Sequence, residues 1–236
     1  MAVDGTLIAF PAAGGGKWMF TGLRRALPPG LKLVVPDLPG RGKRTRDTSV
    51  GSVAELVTEL CDELEPEFHH GRYVLFGSCF GSLVAFELLR EIRRRGHPMA
   101  EAFVVSARKP PDIAESYRAY AGWTDEQLGG YLDYIWPAER VNGENGALGA
   151  LRGLVIRQLR RDVQIAANYD FEPERVFDLP IYAYRGADDQ SITAEELKTW
   201  RSHTSGPFTF RAVTGGRDFY ADDCDRLVAD LEQVLT

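Results

Sequence analysis

Leu75-Phe76-Gly77-Ser78-Cys79-Phe80-Gly81-Ser82-Leu83 joins two segments of different hydrophobic period. Residues 73–76 form a short apolar run of strand character, whereas Leu83, Phe86, Leu89 and Ile92 recur at helical spacing. Gly77 and Gly81 flank the join. A strand, a tight turn and a helix in that order form a nucleophile elbow, usually G-x-S-x-G, in which small residues let a strained turn expose the central side chain. Here the central residue is Cys79. A cysteine is usually inert packing, but between the two glycines of such a turn it reads as a reactive thiol. Cys61 and Cys224 lie on helical faces and read as packing.

The elbow fits a repeating pattern on both sides of it. Residues 6–10 and 32–35 read as strands, and Val53, Leu56, Val57, Leu60 and Leu64 mark one face of a helix. Strand character returns at 102–105, 180–184 and 208–213, with helices expected at 194–204 and 222–235. Strands separated by helices imply an α/β fold, a mostly parallel sheet with helices on both faces. Residues 112–178 break the alternation with helical pieces carrying Tyr117, Tyr120, Trp123, Tyr131, Tyr134 and Trp136. Two readings stand for that insertion: a lid over an active site, or a plain helical layer of the core. With no repeat or low-complexity linker, residues 1–236 read as one domain containing the insertion.

The bulk properties narrow the class. A chain of 236 residues, 44% hydrophobic and 26% charged, has the composition of an ordinary globular protein. A net charge of -6 and pI near 5.3 argue against a nucleic-acid binder. The basic runs at 41–46 and 93–95 read either as a solvated loop and a helix C-terminus, or as contacts to an acidic partner or a phosphate. Three cysteines without a CxxC pair suggest neither a zinc ribbon nor a disulfide framework, and no metal is expected at the site. No signal-like segment follows Met1 and no apolar run reaches the ~18 residues of a membrane span. A reducing cytoplasm, no membrane and no nucleic acid are therefore the expectations.

Ligands of doubly wound sheets bind beyond the carboxyl ends of the strands. Four stretches fall there. The first, Phe10 to Gly16, offers backbone N–H groups at Ala12 and Ala13 as half of an oxyanion hole. The second is the elbow, where the N–H of Phe80 supplies the other half. The third contains Asp189, where the acid of a triad would lie, and the fourth contains Arg217 and Asp218. Nucleophile, acid and base in that chain order belong to the α/β-hydrolases. The base position calls for histidine; Arg217 occupies it.

Over essentially its whole length the chain resembles the type II thioesterases, free-standing α/β-hydrolases that accompany polyketide and nonribosomal peptide synthases. The resemblance rests on FPAAGGG (10–16), PDLPGRGKR (36–44), LFGSCFGSLVAFEL (75–88), SARKPP (106–111), LRRDVQIAANY (159–169), LPIYAYRGADD (179–189) and GGRDFY (215–220). It implies acyl thioesters as substrates, presented on the phosphopantetheine arm of an acyl or peptidyl carrier protein, with no other cofactor. The family's elbow is Gly-His-Ser-Met-Gly; here Ser78 stands for the histidine and Cys79 for the serine nucleophile. Ala12 stands where the family has a first-loop histidine, and the catalytic histidine maps onto Arg217. Asp189 keeps the place of the acid and by charge would pair with Arg217.

These departures bear on mechanism. Hydrolysis through an acyl-enzyme needs a base twice, for the nucleophile and for water. Arginine stays protonated and serves neither step. A thiol, with an ordinary pKa of about 8.5, is activated by a nearby cation and a helix N-terminus, so attack on a thioester needs less help. Three readings follow: an acyl-transfer or cyclising enzyme using Cys79 as covalent carrier, an editing thioesterase assisted by Asp218 as base, or a non-catalytic binder of a carrier protein or ligand. Ser78 is a further candidate accessory residue beside the nucleophile.

Overall fold

The computed structural model describes residues 4–113, 117–136 and 147–236. Positions 114–116 and 137–146 of the expected insertion lie outside the described residues, as do residues 1–3. The strands are β1 (Gly5–Phe10), β2 (Leu31–Val34), β3 (Tyr73–Ser78), β4 (Ala102–Ser106), β5 (Ile181–Gly186) and β6 (Phe208–Val213). They form one parallel six-stranded sheet in the order β2-β1-β3-β4-β5-β6. The central strands β3 and β4 are buried along their whole length, as expected of parallel strands covered on both faces.

The sheet order sets the position of the site. From β1 the chain moves outward to β2, then returns to place β3 on the other side of β1. Connections leaving β1 and β3 therefore diverge, and a crevice opens beyond their carboxyl ends. Phe10 and Gly77 are paired in register at those ends. The loop at Ala12 and Ala13 is thus delivered beside the elbow.

The principal helices are α1 (Thr21–Ala26), α2 (Val53–His69), α3 (Phe80–Arg95), α4 (Arg118–Ala121), α5 (Asp125–Ile135), α6 (Ala147–Ala167), α7 (Ala194–Lys198) and α8 (Asp225–Leu235). Helix α2 starts where the Ser52 side chain accepts from the Glu55 N–H at 3.2 Å, and it buries Leu56, Leu60 and Leu64. Each such leucine contributes roughly 1.5–3 kcal/mol on burial. Helix α3 is buried from Phe80 to Ile92, lying between the sheet and α2. Helices α4, α5 and α6 lie between β4 and β5 in the chain and pack on one another. Among the described residues of 112–178, none joins the sheet; Phe177 makes only an isolated bridge with Thr204.

The run at 93–95 closes the last turn of α3, as one of its two readings had it, whereas Arg41 and Arg44 of the run at 41–46 are paired inside the fold, neither solvated nor free for a partner. Arg41 is 6% exposed and forms a bidentate pair with fully buried Asp162 of α6. Arg44 pairs with Asp47 and Glu59, while Arg93, Arg94 and Arg95 pair with Glu174, Glu91 and Asp62. Of the basic residues in the first run, only Lys43 and Arg46 are exposed. No described helix is long and apolar enough to cross a membrane.

Candidate active site

Cys79 sits at the turn from β3 into α3 with φ 52° and ψ -110°. A side-chain-bearing residue rarely adopts such a backbone, and strain of this kind costs on the order of 1–3 kcal/mol. The two flanking glycines are required by contact. A Cβ on Gly77 would lie 2.4 Å from the Gly81 carbonyl oxygen, and one on Gly81 would lie 2.1 Å from that of Phe10. The turn is pinned by the Cys79 N–H, which donates to the Ser106 carbonyl at 2.9 Å, and by the Ser82 N–H, which donates to the Cys79 carbonyl at 3.0 Å. Cys79 is also the N-cap residue of α3, so the N–H of Phe80, the first residue of the helix, has no intrahelical acceptor of its own.

Arg217 lies on the loop after β6 and lines the same cavities as Cys79. Burial works against its charge, but Cys79, Tyr131, Asp218 and Asp189 outweigh that penalty and raise its pKa above the ordinary arginine value. It therefore stays a cation. Its Nη1 donates to the Ser191 hydroxyl at 2.8 Å, and Ser191 Oγ donates to Asp189 Oδ1 at 2.6 Å. Asp189 Oδ1 also accepts from the Ser191 N–H at 2.8 Å. The expected charge pair is thus relayed through Ser191; no direct Asp189–Arg217 bridge occurs among the described residues. The buried Nε of Arg217 has no hydrogen-bond partner.

Asp218 is turned away from a base's task. Trp136 Nε1 donates to its Oδ2 at 2.6 Å and the Tyr220 hydroxyl donates to its Oδ1 at 3.1 Å. Through Trp136 it ties the C-terminal end of α5 to the loop of Arg217. Ser78 is fully buried and its hydroxyl makes no hydrogen bond. All four histidines lie outside the cavities that contain Cys79. His203 faces Asp112 at 2.9 Å, His69 faces His97 at 3.2 Å, and His70 faces the Pro66 carbonyl.

The first-loop half of the site is held by a buried network. Asp162 Oδ2 accepts from the Gly14 N–H at 2.8 Å while both of its oxygens bind Arg41, whose Nε donates to the Gly15 carbonyl at 2.7 Å. Helix α6, the β1 loop and the β2 loop meet at this one pair. Ala12 and Ala13 consequently line the cavity with Cys79.

That cavity is closed and aromatic. Tyr117, Tyr120, Trp123, Leu128, Tyr131 and Ile135 come from the segment spanning α4 and α5. Its free interior is about 10 Å³, which is the room that one water needs. An open cavity of about 370 Å³ leads to Cys79 between Arg108, Lys109, Tyr134 and Gln190. Another of about 420 Å³ exposes Asp189, Ser191, Arg217 and Asp218. The Tyr117 hydroxyl lies 3.6 Å from Cys79 Sγ, the nearest side-chain partner of the thiol. Burial and the neighbouring Cys79 raise the Tyr117 pKa well above its ordinary value, and the same causes push Tyr131 up to about 12. Both phenols are therefore proton holders, not bases.

Cys79, Ala12, Ala13 and Arg217 thus share a cavity, Phe80 begins the helix beneath it, and Asp189 joins through Ser191. Ser191 and Tyr117 are the residues that sequence reasoning missed. Tyr117 was visible only as one aromatic among several, and Ser191 only as the second residue after the expected acid. Cys61 and Cys224 are buried free thiols, and burial pushes the Cys61 thiol up to about 11.

The thioesterase domain family matches residues 5–235 of the chain. Thioesterase PikA5 of Streptomyces venezuelae is 29% identical over 97% of this chain and 80% of its own length. The prodiginine-pathway thioesterase RedJ of Streptomyces coelicolor superposes with a TM-score of 0.85 at 29% identity, covering 98% of this chain and 86% of that one. The type II thioesterase BorB from the borrelidin biosynthetic cluster superposes with a TM-score of 0.86 at 28% identity, covering 100% of this chain and 94% of that one.

Proposed function

The chain belongs to the thioesterase domain family, and we propose that it takes acyl groups from an acyl or peptidyl carrier protein of polyketide or nonribosomal peptide assembly onto Cys79. The observation that carries this reading is a cysteine on the strained elbow facing a permanent cation where the family's base would stand. RedJ and BorB, each covered over most of its length, are by their names thioesterases of biosynthetic pathways, which supports a thioester as substrate.

In the proposed reaction the Cys79 sulfur attacks the thioester carbonyl. A carbon–sulfur bond to Cys79 forms, the bond to the phosphopantetheine sulfur breaks, and the proton of the Cys79 thiol ends on the departing thiol. The negative oxygen of the tetrahedral intermediate faces the N–H groups of Phe80 and the Ala12–Ala13 loop. Arg217 holds the site positive through both stages, and Tyr117 donates a hydrogen bond toward sulfur. Exchange of one thioester for another is nearly thermoneutral, so the acyl group stays transferable. With no imidazole at the site and Asp218 bonded to Trp136 and Tyr220, water lacks a base. An amine, a thiol or an internal nucleophile of the acyl chain then discharges Cys79 by transfer or cyclisation. The helices α4 and α5 act as a lid that must part for any chain larger than the closed cavity admits.

Intact-protein mass spectrometry with a carrier-bound acyl thioester tests the reading. A stable acyl adduct on the protein, absent in Cys79→Ala and removed by an added thiol or amine, is expected. Prompt release of free acid without an acceptor would replace it with the editing thioesterase, the reading favoured by kinship to the type II enzymes. Neither adduct nor turnover with a spectrum of acyl carriers would leave a binding role.

A further inference from the structure

At the opposite end of β3 from Cys79, three side chains of ligand chemistry converge. Glu65 and His69 are one helical turn apart on α2, so they project from the same face. His97 follows the Gly96 that ends α3 and lies just before β4. One carboxylate oxygen of Glu65 and one nitrogen each of His69 and His97 all lie within 4.8 Å of one another. We infer that Glu65, His69 and His97 form a surface site for a divalent transition metal, of the zinc or nickel type, that clips α2 to the connection entering β4.

The spacing supports a single ion. His69 Nε2 and His97 Nδ1 are 3.2 Å apart. Two nitrogens bound to one tetrahedral zinc at about 2.0–2.1 Å each stand roughly 3.3 Å apart. An ion thus replaces the shared proton between the rings with little movement of either. His97 is already oriented, because its ring packs on Phe68 at 5.8 Å and its N–H donates to the Ile92 carbonyl at 3.1 Å. Glu65 supplies a third ligand and a negative charge, and its exposure leaves the fourth position to water. Two nitrogens and one carboxylate with an open position are chemistry that suits imidazole-seeking metals and not calcium or magnesium, which prefer all-oxygen ligands. Both histidines must be neutral to ligate, so binding weakens in acid.

The site lies away from Cys79, so its occupancy is separable from catalysis. Isothermal titration of the full chain with zinc chloride is expected to show saturable one-to-one binding and a melting temperature that climbs with zinc concentration. His97→Ala and His69→Ala should each weaken binding at least tenfold and remove the thermal gain on adding zinc, while labelling of the metal-free protein at Cys79 continues as before. Cobalt substituted for zinc should give a tetrahedral visible spectrum lacking thiolate charge-transfer bands, which separates this site from the three cysteines. Binding that survives His97→Ala, a thiolate band, or no saturation below millimolar zinc would each overturn the site.

Discussion

Arg217 reaches Asp189 through a single hydroxyl: its Nη1 donates to Ser191 Oγ, and Ser191 Oγ donates to Asp189 Oδ1. A serine hydroxyl has one proton to give, so accepting from the guanidinium fixes its donation toward the carboxylate. Asp189 therefore orients the Arg217 cation through Ser191. Charge-assisted hydrogen bonds of this kind are worth about 1.5–3 kcal/mol. Ser191→Ala should slow acylation of Cys79 by roughly tenfold, and Arg217→Gln by up to about a hundredfold, on that energy scale. Timed mass spectrometry of the adduct measures both, with chain melting as the control for folding. Equal rates in Arg217→Gln and the natural chain would dismiss the cation from the mechanism.

Tyr117 offers a hydroxyl to the Cys79 sulfur but holds its proton too tightly to act as a base. Tyr117→Phe keeps the ring, with its T-shaped contact to Phe80 at 6.2 Å and the Arg108 guanidinium 4.8 Å above it. Only the hydrogen bond is lost. A drop of about threefold to tenfold in the acylation rate is expected from a bond worth about 0.5–1.5 kcal/mol. Stability should change little. A rate increase would show instead that the phenol restrains the sulfur.

Asp162 and Arg41 place an ion pair inside the protein, and removing one partner strands the other. Asp162→Asn leaves Arg41 buried with a neutral neighbour and weakens the acceptor of the Gly14 N–H. Loss of a buried partner costs about 3–5 kcal/mol. Urea unfolding should report a destabilisation of that order. The N–H of Ala13 precedes the tethered Gly14, so acylation should also slow at temperatures where the variant remains folded. A double replacement by apolar residues of matching size should recover much of the stability but not the loop geometry. Recovery of full acylation in that double variant would mean that the network serves the fold alone.

How much of this was legible in the sequence depends on range. The elbow could be read because all its requirements are local: Gly77 and Gly81 sit within two positions of Cys79, and strand and helix periods change across them. The sheet followed from the same alternation, although β3 and β5 extend two residues beyond the apolar runs that announced them. Arg41 was misread because its partner lies 121 positions away in a helix whose pattern gives no hint of a buried carboxylate. Tyr117 meets Cys79 across 38 positions, and Ser191 meets Arg217 across 26. Such pairings are made by tertiary packing, and residue type alone cannot identify them.

Glu196 gives the entrance to the site an acid sensitivity. The Thr193 backbone N–H, then Lys109 and the Thr193 hydroxyl, hold its carboxylate and lower its pKa from 4.5 to about 2. The folded pKa is depressed, so this contribution to stability is complete above 4.5 and disappears as pH falls toward about 2. Glu196→Gln should flatten the dependence of melting temperature on pH across that window and leave the profile above it parallel to the natural chain. The size will be modest, because the group is largely solvated and its bonds are screened. An unchanged slope in the variant would remove Glu196 from the acid response.

Arg217→His tests the link between base and product most directly. The introduced imidazole would stand in the cavity with Cys79 and within reach of Ser191, where the present cation already bonds. Yet Asp189 Oδ1 is occupied by both the hydroxyl and the N–H of Ser191. In Arg217→His alone the imidazole is oriented through Ser191; in Arg217→His with Ser191→Ala, one bond to the carboxylate is released for direct contact. General-base assistance is typically worth 10²–10⁴-fold, of which a grafted base in imperfect geometry recovers a small part, on the order of tenfold. Hydrolysis of the Cys79 adduct should therefore rise by about tenfold in the single variant and further in the double variant, at the expense of transfer to an added thiol. Free acid and transferred acyl group, quantified from the same reaction, give the partition. If water discharges the adduct equally fast in all three proteins, a missing base is not what protects it, and shielding by the aromatic cover formed by Tyr117, Tyr120, Trp123 and Tyr131 becomes the controlling factor.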